Sequence, residues 1–438
     1  MKKITYIAII CSFYHIMGSY AQTQNTNNAL HLEIQQETAA ITDSLIKVRR
    51  YLHQYPELSG AEEKTAHFVA QYLRRLGLEV HTGIGGHSVI GILRGAQNGP
   101  KIAWRADMDA LPSEDPDGVP FASKHPGVRH QCGHDVHTAI GLGIASVLSK
   151  QKKDVKGTVY FIFQPSEENY KGANAMIADG LFDLIQPDEI YAAHISPMPS
   201  GLIATKPDYV FANYRQLKLT FEKSNIADVE QVISDSRSIL SELQNVPSEG
   251  PFWNNRTLLD PNIGVGSPTT IFKDYITVED NMPVEEKENT IAVSAYLTLS
   301  NPTILDSLPT YVERRLQTSG YANALKSVSY ASDTFVYGEQ RKQLINDAVL
   351  TKEVLSRLSS VYGDTVVPPM YGVIPDGRGD DFSFFQERVP GVYFLMGGSN
   401  FEKGIIAMPH APNFNVDESC IPSGVTFFSS LIVERLYQ

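Results

Sequence analysis

Eight consecutive residues, His130-Gln131-Cys132-Gly133-His134-Asp135-Val136-His137, supply three imidazoles and a thiol. That density of soft and borderline donors suits a divalent metal and is hard to explain as packing. Gly133 lets the backbone turn tightly enough for Cys132 and His134 to converge. Upstream, Arg105-Ala106-Asp107-Met108-Asp109-Ala110-Leu111-Pro112 places Asp107 and Asp109 at i and i+2. On an extended segment both face one way, toward a metal or a histidine that binds one, although such a segment alone also reads as a solvated acidic loop. Downstream, Phe163-Gln164-Pro165-Ser166-Glu167-Glu168-Asn169 carries adjacent carboxylates that point apart, so one can ligate while its neighbour carries protons. His194 follows Tyr191-Ala192-Ala193, and His410 lies in Met408-Pro409-His410-Ala411-Pro412. A lone histidine is more often structural than not, and His130 and His137 need not be ligands. Five such elements in the loops of one sheet are not independent accidents.

Something must hold these loops together, and the apolar pattern says what. Ile41, Leu45, Val48 and Leu52 form one stripe of a helix that ends before Pro56, and Phe68, Val69, Tyr72, Leu73 and Leu76 repeat the pattern up to Gly77. Short apolar runs at 88–93, 101–103, 158–163 and 190–193 then alternate with helical patterns at 137–148 and 172–178. This alternation predicts an α/β catalytic domain in which a mixed sheet is sandwiched by helices, with the reactive loops at strand ends. From about Asn213 the texture changes. Leu217, Leu219 and Phe221, and later Ile291, Val293, Ala295, Leu297 and Leu299, alternate with polar neighbours, accompanied by two amphipathic helices. These features predict an inserted α+β (ferredoxin-like) lid domain over 213–337, flanked by catalytic segments at 30–212 and 338–438.

The chain has 438 residues and a net charge of −12, with 37 basic against 49 acidic side chains and no large basic patch, which argues against a nucleic-acid partner. Three widely spaced cysteines exclude a disulfide scaffold. Lys2 and Lys3, an apolar run from Ile4 to Met17 and Ser19-Tyr20-Ala21 read as a signal peptide over 1–21, predicting export to the periplasm or medium after cleavage near Ala21.

The elements at Arg105–Pro112, His130–His137, Gln164–Glu168, Gly172–Phe182, His194 and His410–Glu418 resemble, in order and spacing, the amidohydrolase branch of the dinuclear metallopeptidases. That branch includes hippurate hydrolases, N-acyl amino acid amidohydrolases and indoleacetyl-amino acid hydrolases. The resemblance implies Cys132, His134, Glu168, His194 and His410 as metal ligands, Glu167 as general base and Asp107 or Asp109 steadying His134. Two divalent ions with three contacts each require one shared ligand, and Cys132 is the expected bridge; zinc, manganese, nickel and cobalt all suit the mixed donors. The implied substrate is an N-acyl amino acid or short peptide, and the lid is where a homodimer would form. Alternatives are a dipeptidase or carboxypeptidase of the same clan, or an exported metal-containing binding protein without turnover. The lid departs from the family: no histidine occurs between His194 and His410, Asn281-Met282-Pro283 matches an Asn-x-x-Pro element only loosely, and Gly377-Arg378-Gly379-Asp380-Asp381-Phe382 replaces Gly-Ser-Glu-Asp-Phe. Arg378 and Asn281 are therefore the expected substrate-binding residues, with Arg215 at the hinge as a further candidate.

Overall fold

The computed structural model describes residues 4–153, 155–331, 335–336, 339–340, 342–375 and 379–437, with side chains from Ala29 onward except at 335–336 and 339–340. The expected cleavage site near Ala21, the boundary at 337 and Arg378 all fall where side chains lie outside the described residues.

The run Lys101–Asp107 shows how the sheet forms. Ile102, Trp104 and Ala106 pack into one core and Ala103 into another, so period-two alternation in an apolar strand buries both faces. Val159, Phe161 and Phe163 against Tyr160 and Ile162 repeat the division. The strands of this sheet are β1 (Glu79–Thr82), β2 (Val89–Arg94), β3 (Gln97–Asp107), β4 (Lys156–Gln164), β5 (Glu189–Pro199) and β6 (Ile203–Ala204). The second sheet takes β7 (Asn213–Glu222), β8 (Ile276–Val278), β9 (Val284–Glu286), β10 (Thr290–Leu299) and β11 (Leu325–Tyr330), after which the chain returns with β12 (Gly391–Ser399).

The main sheet has the order β1-β2-β4-β3-β5-β12-β6, with β4, β3, β5 and β12 mutually parallel. One face is covered by α1 (Ile4–Gln54) through its residues from Leu30 onward, α2 (Glu63–Arg75), α3 (His134–Lys150), α7 (Ala348–Tyr362) and α9 (Cys420–Leu436), the other by α4 (Gly172–Ala178) and α8 (Phe382–Gln386). In the second sheet, β8, β10, β7 and β11 are adjacent in that order, with β9 also on β10. Helices α5 (Val229–Ser241) and α6 (Pro302–Gln317) share its core through Val232, Leu240, Leu308, Val312 and Leu316. Among the described residues no helix is long and apolar enough to cross a membrane.

Two differences from the expected elements bear on the site. Helix α3 begins at His134 rather than His137, because Gly133 adopts φ 93° and its carbonyl accepts from the amides of Val136 and His137. Strand β3 continues to Asp107, because the charges that would end an apolar run are paired inside the protein: Arg105 is 1% exposed and bonds to Asp107, Asp380, Asp381 and Gln164.

The turn linking β4 to α4 is packed backbone on backbone. A Cβ on Gly172 would stand 1.7 Å from the Pro165 carbonyl oxygen, so Gly172→Ala must displace the segment that carries Glu167 and Glu168. We expect a loss of about 1–3 kcal/mol in denaturant unfolding. Gly118→Ala, where nothing lies within 4 Å, should be near neutral.

Candidate metal centre

The parallel strands end on one side of the sheet, and their register sets the site. Asp107 on β3 lies beside Gln164 on β4, and His194 on β5 lies beside Leu395 on β12. Helix α3 starts there with His134, and Asp135 ties it down by accepting from Arg49 Nε at 2.7 Å and His53 Nδ1 at 2.8 Å. His410, with φ 62°, reaches in from the loop before α9, its amide bonded to the Gln131 carbonyl at 2.9 Å.

Several groups of donors could hold an ion: Asp107 with His134 and His137, His134 with Glu167 and Glu168, Glu167 with Asp380 and Asp381, and two triads that share Cys132. Cys132, His134 and His194 form one and Cys132, Glu168 and His410 the other, each with its ligating atoms within 4.8 Å of one another. Cys132 Sγ is 3.3 Å from His194 Nε2 and 3.1 Å from His410 Nε2, and His410 Nε2 is 3.2 Å from Glu168 Oε2.

The donor chemistry fits cations. His134 Nδ1 faces two acceptors, the Asp109 carbonyl at 2.9 Å and Asp109 Oδ1 at 3.1 Å, so its proton sits there and Nε2 presents a lone pair. That Nε2 and Glu168 Oε1 are both buried without a hydrogen-bond partner. His194 Nδ1 likewise donates to the Ile195 carbonyl at 2.8 Å, leaving Nε2 for the cluster. Burial pushes the His134 ring down, but the carboxylates of Asp107, Asp109 and Glu168 outweigh it and raise its pKa to about 10, so a cation at Nε2 takes the place of a proton there. Burial, with Glu168 and Glu167 nearby, pushes the Cys132 thiol well up, so a thiolate there requires positive charge beside it.

The remaining candidates separate by their partners. Asp109 steadies His134, whereas Asp107 is bonded to His137 Nδ1 at 2.6 Å and stands 3.8 Å from His134 Nε2. His137 Nε2 accepts from the Ile195 amide at 2.9 Å, which leaves no ring nitrogen for a metal. His130 is held neutral by burial, its pKa lowered to about 4. Glu167 belongs to neither Cys132 triad, and its Oε2 is 3.7 Å from His134 Nε2. Burial, then Asp380 and Glu168, keep its carboxyl well above the usual range.

Beside the centre lies a cavity of about 450 Å³ lined by Glu167, Glu168, His194, His410 and a largely apolar wall. Asn281 is exposed on the loop before β9 and does not line it, because the edge of the second sheet carries it away. Arg215 is also outside the lining; on β7 it pairs with Leu297 and donates to the Tyr214 carbonyl. Arg378 lies outside the described residues, though its neighbours Gly379 and Asp380 line the cavity.

Sequence reasoning missed Glu62. This acid stands at the start of α2 but does not cap it; Glu57 receives the amides of Lys64 and Thr65 instead. The Glu62 carboxylate crosses to the Ser166 amide at 2.8 Å and also accepts from Gly60 at 2.9 Å. Ser166 has φ 56° and opens the turn that presents Glu167 and Glu168, so Glu62 clamps a left-handed residue that is not glycine. An acid at a helix start normally signals a cap, and only its failure to cap reveals the longer reach.

A cysteine common to two donor triads, histidines oriented through their other nitrogen, two carboxylates and an apolar cavity at the ends of parallel strands fit a dinuclear metal hydrolase. A model of Peptidase family M20/M25/M40 matches residues 103–434, and the chain belongs to that family. It is 31% identical to thermostable carboxypeptidase 1 of Saccharolobus solfataricus, over 92% of this chain and 98% of that one. It is 28% identical to N-acetyl-L-cysteine deacetylase of Bacillus subtilis, over 93% and 92%. The solved YxeP protein of Bacillus subtilis, a dinuclear metal-binding peptidase of the M20 family, superimposes with a TM-score of 0.68 at 26% identity, covering 91% of this chain and 99% of that one. The protein is thus a metal-dependent hydrolase of amide or peptide bonds that uses two divalent ions.

Glu62→Ala leaves the Ser166 and Gly60 amides without their acceptor. A stability loss of about 1–3 kcal/mol is expected in denaturant unfolding. A fall in kcat should accompany it as the Glu167 turn loosens, and Glu62→Gln, which keeps an acceptor oxygen, should recover most of both.

Proposed function

We propose that the protein hydrolyses the amide bond of N-acyl amino acids, with Cys132, His134 and His194 holding one ion and Cys132, Glu168 and His410 the other. The observation that carries this reading is the position of Glu167: buried, beside both triads and a member of neither Cys132 triad. The ions, when bound, supply Lewis acidity that polarises the carbonyl and makes water more acidic. Glu167 accepts the proton of the attacking water as the new C–O bond forms. It then delivers that proton to the nitrogen as the C–N bond breaks, so an amine and a carboxylic acid leave, and the acid gives up its own proton to solvent. Asp109 fixes the tautomer of His134 through both its carbonyl and its carboxylate. Asp107 acts at one remove, orienting His137 and neutralising Arg105.

A second reading, removal of a C-terminal residue from a short peptide, is favoured by the similarity to the carboxypeptidase. A screen of acyl-amino acids against dipeptides separates the two. In the proposed role Arg378 holds the substrate carboxylate through its bidentate fork.

Glu167→Gln removes the proton carrier and no ligand. It should keep two ions per chain by elemental analysis while kcat falls by about 10²-fold or more. Unchanged kcat at full metal content would sink the assignment.

A further inference from the structure

The cavity beside the triads is walled on its far side by a segment that the chemistry above does not use. After α5 the chain runs through two short 3₁₀ turns, Pro251–Trp253 and Asn255–Leu259, before reaching β8. Leu258, Leu259 and Val265 of this segment line the cavity together with Met198, Phe211 and Ile374.

This wall is fixed from behind. Phe252, Phe272, Tyr275 and Val373 form a separate buried core with Ala212. The Val265 amide donates to the Leu258 carbonyl at 3.0 Å, and the Val265 carbonyl accepts from Tyr371 at 2.8 Å and Gly372 at 2.9 Å. The Ile374 amide in turn bonds to the Val210 carbonyl at 2.9 Å, so the segment and the two stretches flanking the second sheet form one continuous backing. A preformed apolar surface of this kind binds apolar groups without first paying to order itself.

The charge of the lining sharpens the selection. Among the described residues it contains the acids Glu167, Glu168 and Asp380 and neither lysine nor arginine. An apolar substituent gains by leaving water there, whereas a substituent that ends in a carboxylate against Leu258, Leu259 and Val265 loses its hydration and meets no cation among the described lining residues. The cavity, at about 450 Å³, lies within the range of about 300–1,000 Å³ typical of small-molecule sites and holds far more than an acetyl group.

We propose that Leu258, Leu259 and Val265 form a specificity wall that selects N-acyl amino acids bearing a bulky, uncharged apolar group over acetylated or dicarboxylic ones. The proposal rests on the amide-hydrolase reading for its substrates but concerns only their apolar part. The test uses metal-loaded protein and a series of N-acyl glycines, from acetyl through pentanoyl to octanoyl, with N-succinylglycine as the charged match to pentanoyl and N-acetylleucine to probe the amine side. In the wild type, kcat/KM should rise roughly four- to tenfold for each methylene that stays within the cavity, on the acyl or the amine side. Pentanoyl should exceed succinyl by about tenfold or more. In Leu258→Asp, and more mildly in Leu258→Ala, the octanoyl-to-acetyl ratio should fall by about tenfold. A flat series, succinyl preferred over pentanoyl, or an unchanged ratio in both variants would overturn the proposal. Calorimetric binding of octanoate against succinate provides a readout independent of turnover. If no amide is cleaved yet octanoate binds and Leu258→Asp weakens it, the hydrolase reading fails and the wall stands. If octanoate binds no better than succinate, the wall itself fails.

Discussion

One sulfur atom organises the catalytic half of the protein. Cys132 Sγ stands 3.3 Å from His194 Nε2 and 3.1 Å from His410 Nε2, and it joins two groups of side chains that could each hold an ion. A thiolate can be shared between two cations where an imidazole nitrogen cannot, since sulfur offers more than one lone pair to bond. The fold answers that constraint. Parallel strands bring the loops after β3, β4 and β5 to one side, Gly133 aims the first turn of α3 at the same point, and the loop before α9 closes over it with His410.

Around that sulfur the protein accumulates negative charge and then distributes it. Asp107, Asp109, Glu167, Glu168, Asp380 and Asp381 are all buried. Arg105 engages Asp107, Asp380 and Asp381, and His134 engages Asp109. Burial and the neighbouring Asp380 push the Asp381 carboxyl up although Arg105 opposes the shift, and one guanidinium faces three carboxylates there. Divalent cations held by Cys132, His134, Glu168, His194 and His410 would complete the balance, which would tie metal content to the integrity of the site as well as to its chemistry.

The sequence was most legible where residue type alone carries chemistry. Histidines and a cysteine at close spacing, and carboxylates at strand ends, read directly as a ligand set because few other environments tolerate them together. The alternating runs of β3 and β4 and the wet-faced strands β7 and β10 were equally readable. Long-range partners were not. Glu62 and Ser166 are 104 positions apart, and Arg105 and Asp380 are 275 apart, so no local period links them. The extension of β3 through Arg105 and Asp107 was hidden because buried charge looks like loop until its partner is known. Asn281 and Arg215 stand out in the sequence only by position, and neither lines the cavity, because the second sheet carries both elsewhere. The wall at 255–265 had no motif to announce it, being assembled from a segment rich in turns whose apolar residues acquire meaning only once docked.

Titration of metal-stripped protein with cobalt(II) decides whether Cys132 binds two ions at once. Thiolate-to-cobalt charge transfer in the near ultraviolet should grow through two equivalents per chain, because the same sulfur bonds to both ions, with a proton released as the thiol is converted to thiolate. Charge transfer that is complete after one equivalent while a second ion still binds would show that the sulfur serves a single ion. Two bound ions with no charge transfer at all would remove Cys132 from the centre altogether.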